Sequence, residues 1–285
     1  MSEESVPPTP VEDRRSPGCL AMLGYVLLAV VLVLLIYYGL YLLLKGPQQA
    51  QPQIIAHRGD SAHFPEDTLA AFQGAIQAGA GWLEMDVQRT KDGRLVVIHD
   101  ETVDRTTDGS GRVADLTFDQ IRSFNIGDGE RVPTFEEAIR LAKESGIGLF
   151  PEAKNATLYP GIEDEMVQTL RQEGYLKQTI LQSFVRDQLA SVSGDNPDLI
   201  ICPLYGLWDL SLSDIQPENA KTVCPMAEMI LLNQWMVRRA HQDGRLVYAW
   251  FGAIENPLVM RMLLALGVDG LIVDDPGALR QILGP

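Results

Sequence analysis

Cysteine is scarce in this sequence, and the positions of the few cysteines exclude a thiolate zinc centre. Cys19, Cys202 and Cys224 are the three cysteines among 285 residues; they form no CxxC pair and have no histidine at zinc-ligand spacing. A disulfide framework is not expected either. Cys202 and Cys224 each follow a short apolar run, which favours two buried, unpaired side chains, although a location outside the cytoplasm would allow them to pair.

Positive charge is also in short supply, because 23 lysines and arginines face 38 aspartates and glutamates, for a formal net charge of -15. A protein that binds nucleic acid normally has a basic patch, so no nucleic-acid partner is expected. A site for an anionic substrate would have to reverse the field of this chain locally. We therefore expect a bound metal ion and a few well-placed Arg or Lys residues at such a site.

Charged residues are absent from residues 20–44, an apolar run longer than the ~20 residues that a helix needs to cross a bilayer. The run also exceeds the about 7–15 apolar residues of a secretory signal, and no evident small-residue cleavage site follows it. It therefore predicts a single transmembrane helix. Arg14 and Arg15 precede it and only Lys45 closely follows it, so the positive-inside rule places the N-terminus in the cytoplasm and the large domain outside, at the cell membrane.

Composition divides the rest of the chain. Residues 1–19 are rich in Pro, Ser and acidic residues and are expected to form a disordered cytoplasmic tail. Residues 45–52 are expected to form a short tether, and residues 53–285 the folded domain. In that domain short β-like runs alternate with amphipathic segments such as 68–78 and 135–143, the pattern of a parallel sheet.

Eight runs are candidates for parallel strands: 54–56, 82–87, 148–152, 179–182, 199–202, 222–224, 246–250 and 270–273. Eight βα units in about 230 residues match the size of a (β/α)8 TIM barrel. Residues 95–98 form a further extended run. The alternation fails between about 100 and 131, where the Thr- and Gly-rich residues 106–111 mark a loop insertion.

Ionisable residues collect at the C-terminal ends of these runs, the face on which TIM barrels build active sites. They are His57 and Arg58 after the first run, Glu84 and Asp86 on the second, His99 after residues 95–98, and Glu152 with Lys154 at the third. Each of them alone has an ordinary structural explanation, such as a histidine bonded to backbone. His63 and His241 lack such neighbours and are interpreted as structural or solvent-facing.

Glu84 and Asp86 lie two residues apart, so both carboxylates project from the same face of a strand. Their apolar neighbours favour the barrel interior, where two like charges need a cation, a proton or an arginine. With Glu152 they form an oxygen-only set, which favours Mg²⁺ or Ca²⁺ over zinc. His57 and His99 suit proton transfer near neutral pH, and Arg58 and Lys154 supply charge for an anionic group.

Five motifs in the domain together resemble the glycerophosphodiester phosphodiesterase family over nearly its whole length. They are Ile55-Ala56-His57-Arg58-Gly59, Pro65-Glu66-Asp67-Thr68-Leu69-Ala70-Ala71-Phe72, Trp82-Leu83-Glu84-Met85-Asp86-Val87, Lys91-Asp92-Gly93 with Val96-Val97-Ile98-His99-Asp100, and Gly267-Val268-Asp269-Gly270-Leu271-Ile272-Val273-Asp274. The resemblance implies a TIM barrel with a small inserted subdomain at about 100–131, and an enzyme that hydrolyses glycerophosphodiesters to glycerol 3-phosphate and an alcohol with a divalent cation.

The resemblance also implies roles for particular residues. His57 and His99 match the acid/base pair, and Glu84, Asp86 and Glu152 match the metal ligands. The implied substrate contacts are Arg58 and Lys154, which bind phosphate, together with Glu66 and Trp250. The attacking group in the family is the substrate's own glycerol hydroxyl, which gives a cyclic phosphate that water opens; the sequence leaves direct attack by water equally open.

The sequence departs from the family pattern in two motifs. Asp67 stands where the family has Asn, which removes an amide donor from the site, although Asp also caps helices well and the helix start should survive. Phe251-Gly252-Ala253 replaces the common Thr-Val-Asn after Trp250, which leaves the substrate contacts there open.

The sequence leaves two alternatives to glycerophosphodiester hydrolysis open. A lysophospholipase D would act on membrane lysolipids, which an anchor at residues 20–44 would bring near. A catalytically silent barrel would bind a phosphorylated ligand or a partner without turnover, because a fold does not imply a function.

Overall fold

The computed structural model of the chain describes residues 19–45, 51–207, 209 and 220–284. The predicted tail before Cys19, with Arg14 and Arg15, and most of the predicted tether lie outside these residues. The chain divides into two units, Met1–Leu43 and Leu44–Pro285. Helix α1 runs over Cys19–Leu44. Its segment Met22–Leu44 reaches a mean hydropathy of 2.7 over an 18-residue window and is long and apolar enough to cross a membrane, which confirms an apolar helix at the predicted position.

The second unit is built on a closed barrel of parallel strands. Its described part contains β1 (Gln53–Ala56), β2 (Trp82–Arg89), β3 (Leu95–Val97), β4 (Gly148–Ala153), β5 (Ile180–Ser183), β6 (Ile200–Tyr205), β7 (Thr222–Pro225), β8 (Leu246–Trp250) and β9 (Gly270–Val273). β1 pairs in parallel with both β2 and β9, so the sheet closes on itself, and β3 joins β2 as an antiparallel hairpin arm. All the predicted strands are confirmed, with ends that differ by up to three residues.

Helices lie between the strands. In the described residues of this unit they are α2 (Leu69–Gln77), α3 (Phe118–Ser123), α4 (Phe135–Ser145), α5 (Ile162–Gln172), α6 (Arg186–Asp195), α7 (Ala227–Leu232), α8 (Trp235–Gln242), α9 (Pro257–Leu266) and α10 (Pro276–Leu283). Helix α4 shows how the sequence sets such a helix: Thr134 and Glu137 form a reciprocal capping box at its start, and Gly146 ends it at φ +71°.

The alternation of β2 separates the core from the site. Leu83, Met85 and Val87 are fully buried in the cluster that also contains α2 and α4 side chains. Because successive strand residues face opposite sides of a sheet, this packing turns Glu84 and Asp86 toward the barrel interior. The interior holds a second apolar cluster that includes residues from most of the barrel strands.

The predicted insertion has elements of its own. It contains a short 3₁₀ helix, Val113–Asp115, and helix α3. Val103, Val113 and Ile121 are buried there against Val96 and Ile98 of the hairpin, in an apolar cluster separate from the barrel clusters. The segment therefore packs on the β2–β3 hairpin, next to the C-terminal end of β2.

Cys202 and Cys224 are linked by a disulfide, so the expectation of two unpaired side chains was wrong. Their burial was predicted correctly, since both are fully buried in the interior cluster. They lie on β6 and β7, which pair in parallel, and their Cα atoms are 5.7 Å apart, within the range that a disulfide spans. The apolar runs before each cysteine indicate burial but carry no information on which strands are neighbours.

The disulfide should contribute to stability by limiting the unfolded chain. For two cysteines 22 residues apart, chain-entropy arguments give about 3 kcal/mol. We expect a reductant to lower the thermal midpoint of the full-length protein, and to have no effect on the double variant Cys202→Ala/Cys224→Ala. Thiol labelling of the denatured protein should modify one cysteine without reductant and three with it. Labelling of all three without reductant would contradict the bond.

Candidate active site

Three carboxylates meet at the C-terminal ends of β2 and β4. Asp86 pairs in register with Glu152, and Glu84 precedes Asp86 by two residues on the same face. One oxygen from each lies within 4.8 Å of the others, and none of the three residues is more than 7% exposed. The residues predicted as metal ligands are thus brought together.

The three carboxylates influence one another strongly. Burial and the neighbouring Asp86 raise the pKa of Glu84 to about 7. Burial also raises the pKa of Glu152, to about 8, against the opposing effect of Lys154. Burial acts on Asp86 in the same direction, but Lys154 and Arg58 outweigh it and hold its pKa below the ordinary value. A divalent cation among these oxygens would allow all three to ionise together.

The donor set fits a hard cation. It consists of carboxylate oxygens alone, the ligands that Mg²⁺ and Ca²⁺ prefer. Oδ2 of Asp86 is buried and has no hydrogen-bond partner among the described residues, although Nε of Arg58 lies 3.0 Å away. A buried carboxylate oxygen without a hydrogen bond is costly unless another group compensates it.

Glu84 is held by two donors from other elements. The backbone N–H of Arg58 donates to its Oε2 at 2.9 Å, and Nε2 of Gln182 on β5 donates to its Oε1 at 2.8 Å. Arg58 directs its N–H there from a left-handed conformation at φ +54°, which is uncommon for a residue with a side chain. Such conformations cluster at functional sites.

Two cations flank the carboxylates. Nζ of Lys154 lies 3.3 Å from Oδ1 of Asp86 and 3.2 Å from Oε1 of Glu152. Burial acts to lower the pKa of Lys154, but Asp86 and Glu152 raise it, and the same balance, led by Asp86, raises the pKa of Arg58. Both side chains are therefore charged and would attract a phosphate group.

His57 follows β1 and pairs with a carboxylate that follows β9, the neighbouring strand where the barrel closes. Its Nδ1 lies 2.7 Å from Oδ1 of Asp274, the residue that follows β9. Burial acts to lower the pKa of His57, but the hydrogen bond to Asp274 and the charge of Glu84 raise it overall. Glu255 in turn accepts the backbone N–H of Asp274 at 3.0 Å, which fixes the carboxylate's position.

His99 forms the corresponding pair with its neighbour in sequence. Its Nδ1 lies 2.7 Å from Oδ1 of Asp100, and burial lowers its pKa despite the charge of Asp86. Gln88 holds the backbone here, because its Nε2 lies 2.9, 3.0 and 2.6 Å from the carbonyl oxygens of Ile98, His99 and Asp100. The two rings thus have pKa values shifted in opposite directions, as suits an acid and a base.

The other two predicted substrate contacts lie at the edge of this group. Oε1 of Glu66 accepts from Nη1 of Arg58 at 3.0 Å, so Glu66 steadies one of the cations. Trp250 ends β8, where its Nε1 donates to the carbonyl of Cys224 at 3.1 Å and its ring meets Phe184 edge to face. Trp250 is therefore fixed by backbone and ring contacts.

Asp67 does not cap the helix that follows it, contrary to the capping expected from its type. Helix α2 begins at Leu69, and Thr68 is the N-cap, with its side chain accepting from the N–H of Ala71. Asp67 adopts φ +57° and is buried, and its Oδ1 accepts the backbone N–H of Asp86 at 3.3 Å. Burial and the charge of Asp86 raise its pKa well above the ordinary value.

A second cluster of possible ligand atoms in the described residues consists of Asp60, His63 and Asp275. The His63 side chain is 58% exposed and hydrogen-bonds to Asp60, so it agrees with the solvent-facing interpretation. Nε2 of His241 lies 2.8 Å from Oδ2 of Asp269, which agrees with a structural role for this histidine.

Several residues of the site carried no predicted role. They are Gln88, Asp100, Gln182, Glu255 and Asp274. The strand alternation that links Glu84 to Asp86 also extends to Gln88, and Asp274 closes a motif already noted. Gln182 and Glu255 carry no signal in the sequence, since they act through contacts that only the closed barrel creates.

Comparison with known proteins agrees with this geometry. The chain matches the Glycerophosphoryl diester phosphodiesterase family over residues 57–278. It is 36% identical over 243 residues to the glycerophosphodiester phosphodiesterase of Caldanaerobacter subterraneus subsp. tengcongensis, covering 81% of this chain and 97% of that protein. The glycerophosphodiester phosphodiesterase of Bacillus subtilis is 32% identical over 253 residues, with 80% and 85% covered.

A solved structure gives the same result at the level of the fold. The Oleispira antarctica phosphodiesterase in complex with sn-glycerol-3-phosphate has a TM-score of 0.73 and 26% sequence identity, covering 81% of this chain and 96% of that one. This chain belongs to the glycerophosphoryl diester phosphodiesterase family.

Proposed function

We infer that this protein is an enzyme that hydrolyses glycerophosphodiesters to glycerol 3-phosphate and an alcohol with a divalent cation. The observation that carries this function is the meeting of three buried carboxylates, two cations and two histidines at one rim of the barrel. Its relatives include proteins named glycerophosphodiester phosphodiesterase, and one structural neighbour contains the product sn-glycerol-3-phosphate.

The cation would be held by Glu84, Asp86 and Glu152. We propose Mg²⁺ or Ca²⁺, because both prefer oxygen ligands. When bound, the ion would stabilise the negative charge that develops on the phosphate oxygens. Arg58 and Lys154 would bind the same phosphate from the sides, since both are charged and lie next to the carboxylates.

The two histidines would carry out the proton transfers. One accepts the proton of the attacking hydroxyl as the new P–O bond forms, and the other gives a proton to the departing alkoxide as the old bond breaks. Asp274 and Asp100 accept hydrogen bonds from the Nδ1 atoms of His57 and His99, which leaves each Nε2 for the substrate. The attacking hydroxyl belongs either to the substrate's glycerol or to water.

Glu66 and Trp250 remain our proposed contacts to the rest of the substrate. Trp250 stands at the rim on β8, where its ring offers an apolar surface. The Glu66 carboxylate is 20% exposed and also holds Arg58, so its effect on binding would be partly indirect.

We further propose that α1 anchors the enzyme in the cell membrane, with residues 1–19 as a cytoplasmic tail, 45–52 as a tether and 53–285 as the external enzyme domain. A removed signal sequence is the alternative for an apolar helix at this position. The disulfide supports an external location, because such bonds persist in oxidising compartments.

Membrane lysolipids are a second candidate substrate. Leu158, Leu207 and Ile254 follow the C-terminal ends of β4, β6 and β8 and are 41%, 42% and 46% exposed. Apolar side chains on that rim are suited to contact an acyl chain. The shared headgroup chemistry means that the phosphate site alone does not discriminate between the two substrates.

The full-length protein in detergent micelles should release glycerol 3-phosphate and choline from glycerophosphocholine. Lysophosphatidylcholine in the same assay would yield lysophosphatidic acid if the second candidate applies, and the ratio of kcat/KM values decides between them. A protein that cleaves neither substrate at any divalent metal concentration would contradict the proposal and favour a silent binding barrel.

Chelation should both abolish activity and lower the thermal midpoint. A ligand at 100 times its Kd stabilises the folded state by about 2.7 kcal/mol, and removing it forfeits that amount. Glu84→Gln should weaken metal binding but leave the metal-free protein as stable as wild type or more so. The substitution removes one buried charge. Oε1 of Gln182 has no hydrogen-bond partner in the described part of the chain, so Gln182 can turn its amide and accept from the new amide at position 84.

Calorimetric titration and thermal unfolding with and without chelator measure these effects. Glu163→Gln is the matched control, since it removes a buried carboxylate from α5, outside the cluster. If Glu84→Gln binds metal as tightly as wild type, and the wild-type enzyme is fully active in chelator, the three carboxylates have a structural role and do not form a metal site.

His57→Ala and His99→Ala should each reduce kcat roughly 10²-fold or more, the typical contribution of general acid–base catalysis. Metal affinity should change little, because neither ring belongs to the carboxylate cluster. Steady-state kinetics and metal titration separate the two effects, with His63→Ala as an exposed histidine control. Turnover at the wild-type rate would remove that histidine from the mechanism.

The proposed topology predicts that protease added outside intact cells digests the barrel. The physical reason is the excess of positive charge before α1, Arg14 and Arg15 against Lys45, which holds the N-terminus inside. Immunoblots against epitopes at each end of the chain measure the outcome, with a cytoplasmic protein as the control for intact cells. A barrel that is digested only after lysis would reverse the orientation.

A further inference from the structure

One arginine of the inserted segment joins two carboxylates at the rim. Arg105 donates to both oxygens of Asp100, from Nε at 2.6 Å and from Nη2 at 3.1 Å. It also donates to both oxygens of Glu66, from Nη1 at 2.9 Å and from Nη2 at 2.7 Å. A guanidinium that bonds two carboxylates in this way fixes their orientation as well as their distance.

Each of these carboxylates holds a different group of the site. Asp100 bonds to Nδ1 of His99 at 2.7 Å, and Glu66 bonds to Nη1 of Arg58 at 3.0 Å. Arg105 is therefore the common link between a proton-transfer group on one side and a phosphate-binding group on the other. Its hydrogen bonds go to these two carboxylates and not to His99 or Arg58.

The loop around Arg105 is held by its own hydrogen bonds. The Asp104 carboxylate accepts from Oγ of Ser110 at 2.9 Å and from the N–H of Gly111 at 3.0 Å. On the other side, Oγ1 of Thr107 donates to the carbonyl of Val103 at 2.8 Å, and Val103 is fully buried. Arg105 thus projects from a fixed turn.

The negative charges of Asp100 and Glu66 also favour a cation between them. The hydrogen bond from Arg105 is the chief cause that lowers the pKa of Asp100, to about 2. Burial acts to raise the pKa of Glu66, but Arg105 and Arg58 lower it overall. Both carboxylates are therefore ionised and share one guanidinium, and without it they would repel each other.

We propose that Arg105 is a positioning residue, contributed by the inserted segment, that fixes His99 through Asp100 and Arg58 through Glu66. This role rests on the proposed function, which makes His99 and Arg58 parts of the catalytic site. This role differs from a purely stabilising one, because the Arg105 side chain is 48% exposed and solvent screening weakens the contribution of its ion pairs to folding. A catalytic group misplaced by about 1 Å can by contrast cost on the order of 10²-fold in rate.

The test compares Arg105→Gln and Arg105→Lys with Arg112→Gln in the full-length enzyme, using glycerophosphocholine as substrate. Arg112 is a matched control, since it belongs to the same segment, is 51% exposed and pairs only loosely with Glu101, at 3.5 Å. We expect Arg105→Gln to lower kcat by about ten- to hundredfold and to raise KM, with the thermal midpoint nearly unchanged. Arg105→Lys keeps the positive charge but loses the planar guanidinium that bonds both carboxylates. Its kcat should therefore lie between those of Arg105→Gln and wild type.

Two further readouts separate positioning from a general structural effect. In the Asp100→Asn background, Arg105→Gln should cost clearly less in kcat than it does alone, because the path to His99 is already broken. The variant Arg105→Ala should regain activity with millimolar guanidinium and not with tetramethylammonium at equal ionic strength. Additive losses in kcat, or no rescue by guanidinium, would overturn the proposal.

The outcomes also distinguish this inference from the proposed function. Impaired turnover in His99→Ala with wild-type turnover in Arg105→Gln overturns the positioning role alone. Wild-type turnover in His99→Ala overturns the role of that histidine and with it the link to Arg105. If Arg105→Gln does not fold, Arg105→Lys and the guanidinium rescue decide the question.

Discussion

The structure depends on the close approach of three buried carboxylates, Glu84, Asp86 and Glu152. Two neighbouring strands bring them within 4.8 Å, where burial and mutual repulsion oppose their joint ionisation. The rest of the rim can be understood as the response to this charge: Arg58 and Lys154 lie beside it, and the left-handed backbone of Arg58 aims a further donor at Glu84. The same excess of negative charge attracts a cation, and the cation and the two basic side chains together would attract a phosphate. A chain of net charge -15 would thereby acquire the site for an anion that we propose.

The two histidines are held by different parts of the fold. His57 depends on Asp274 at the end of the last strand, so its position is set when β9 closes the barrel against β1. His99 depends on Asp100 and on the clamp from Gln88, and the inserted segment reaches the same carboxylate through Arg105. The strands therefore set the cation site and, through Gln88 of β2, the backbone at His99, while Asp274, Asp100 and Arg105 beyond the strands orient the groups that would move protons. This division is the usual one in TIM barrels, in which loops at the C-terminal face adapt a constant frame.

Much of the site was predictable because it follows from periodicity. Alternation on β2 alone indicates that Glu84 and Asp86 share a face, and the apolar residues between them indicate which face is buried. Contacts between distant parts of the chain were not predictable in this way. Gln182 reaches Glu84 across 98 residues, and Cys202 meets Cys224 because β6 and β7 are neighbours, a fact of closure that neither local sequence contains. Asp67 was misjudged for a related reason: its type suits a helix cap, but the turn buries it behind Asp86 and gives the cap to Thr68.

The measurement that tests this account most directly is a crystal structure of the full-length protein with Mn²⁺ and glycerol 3-phosphate, in which anomalous scattering locates the metal ion. The account predicts one strong peak coordinated by Glu84, Asp86 and Glu152, with the phosphate of the ligand bonded to Arg58 and Lys154. An ion bound instead by Asp60, His63 and Asp275 would contradict it, if the three buried carboxylates then formed ion pairs with Lys154 and Arg58 and held no metal.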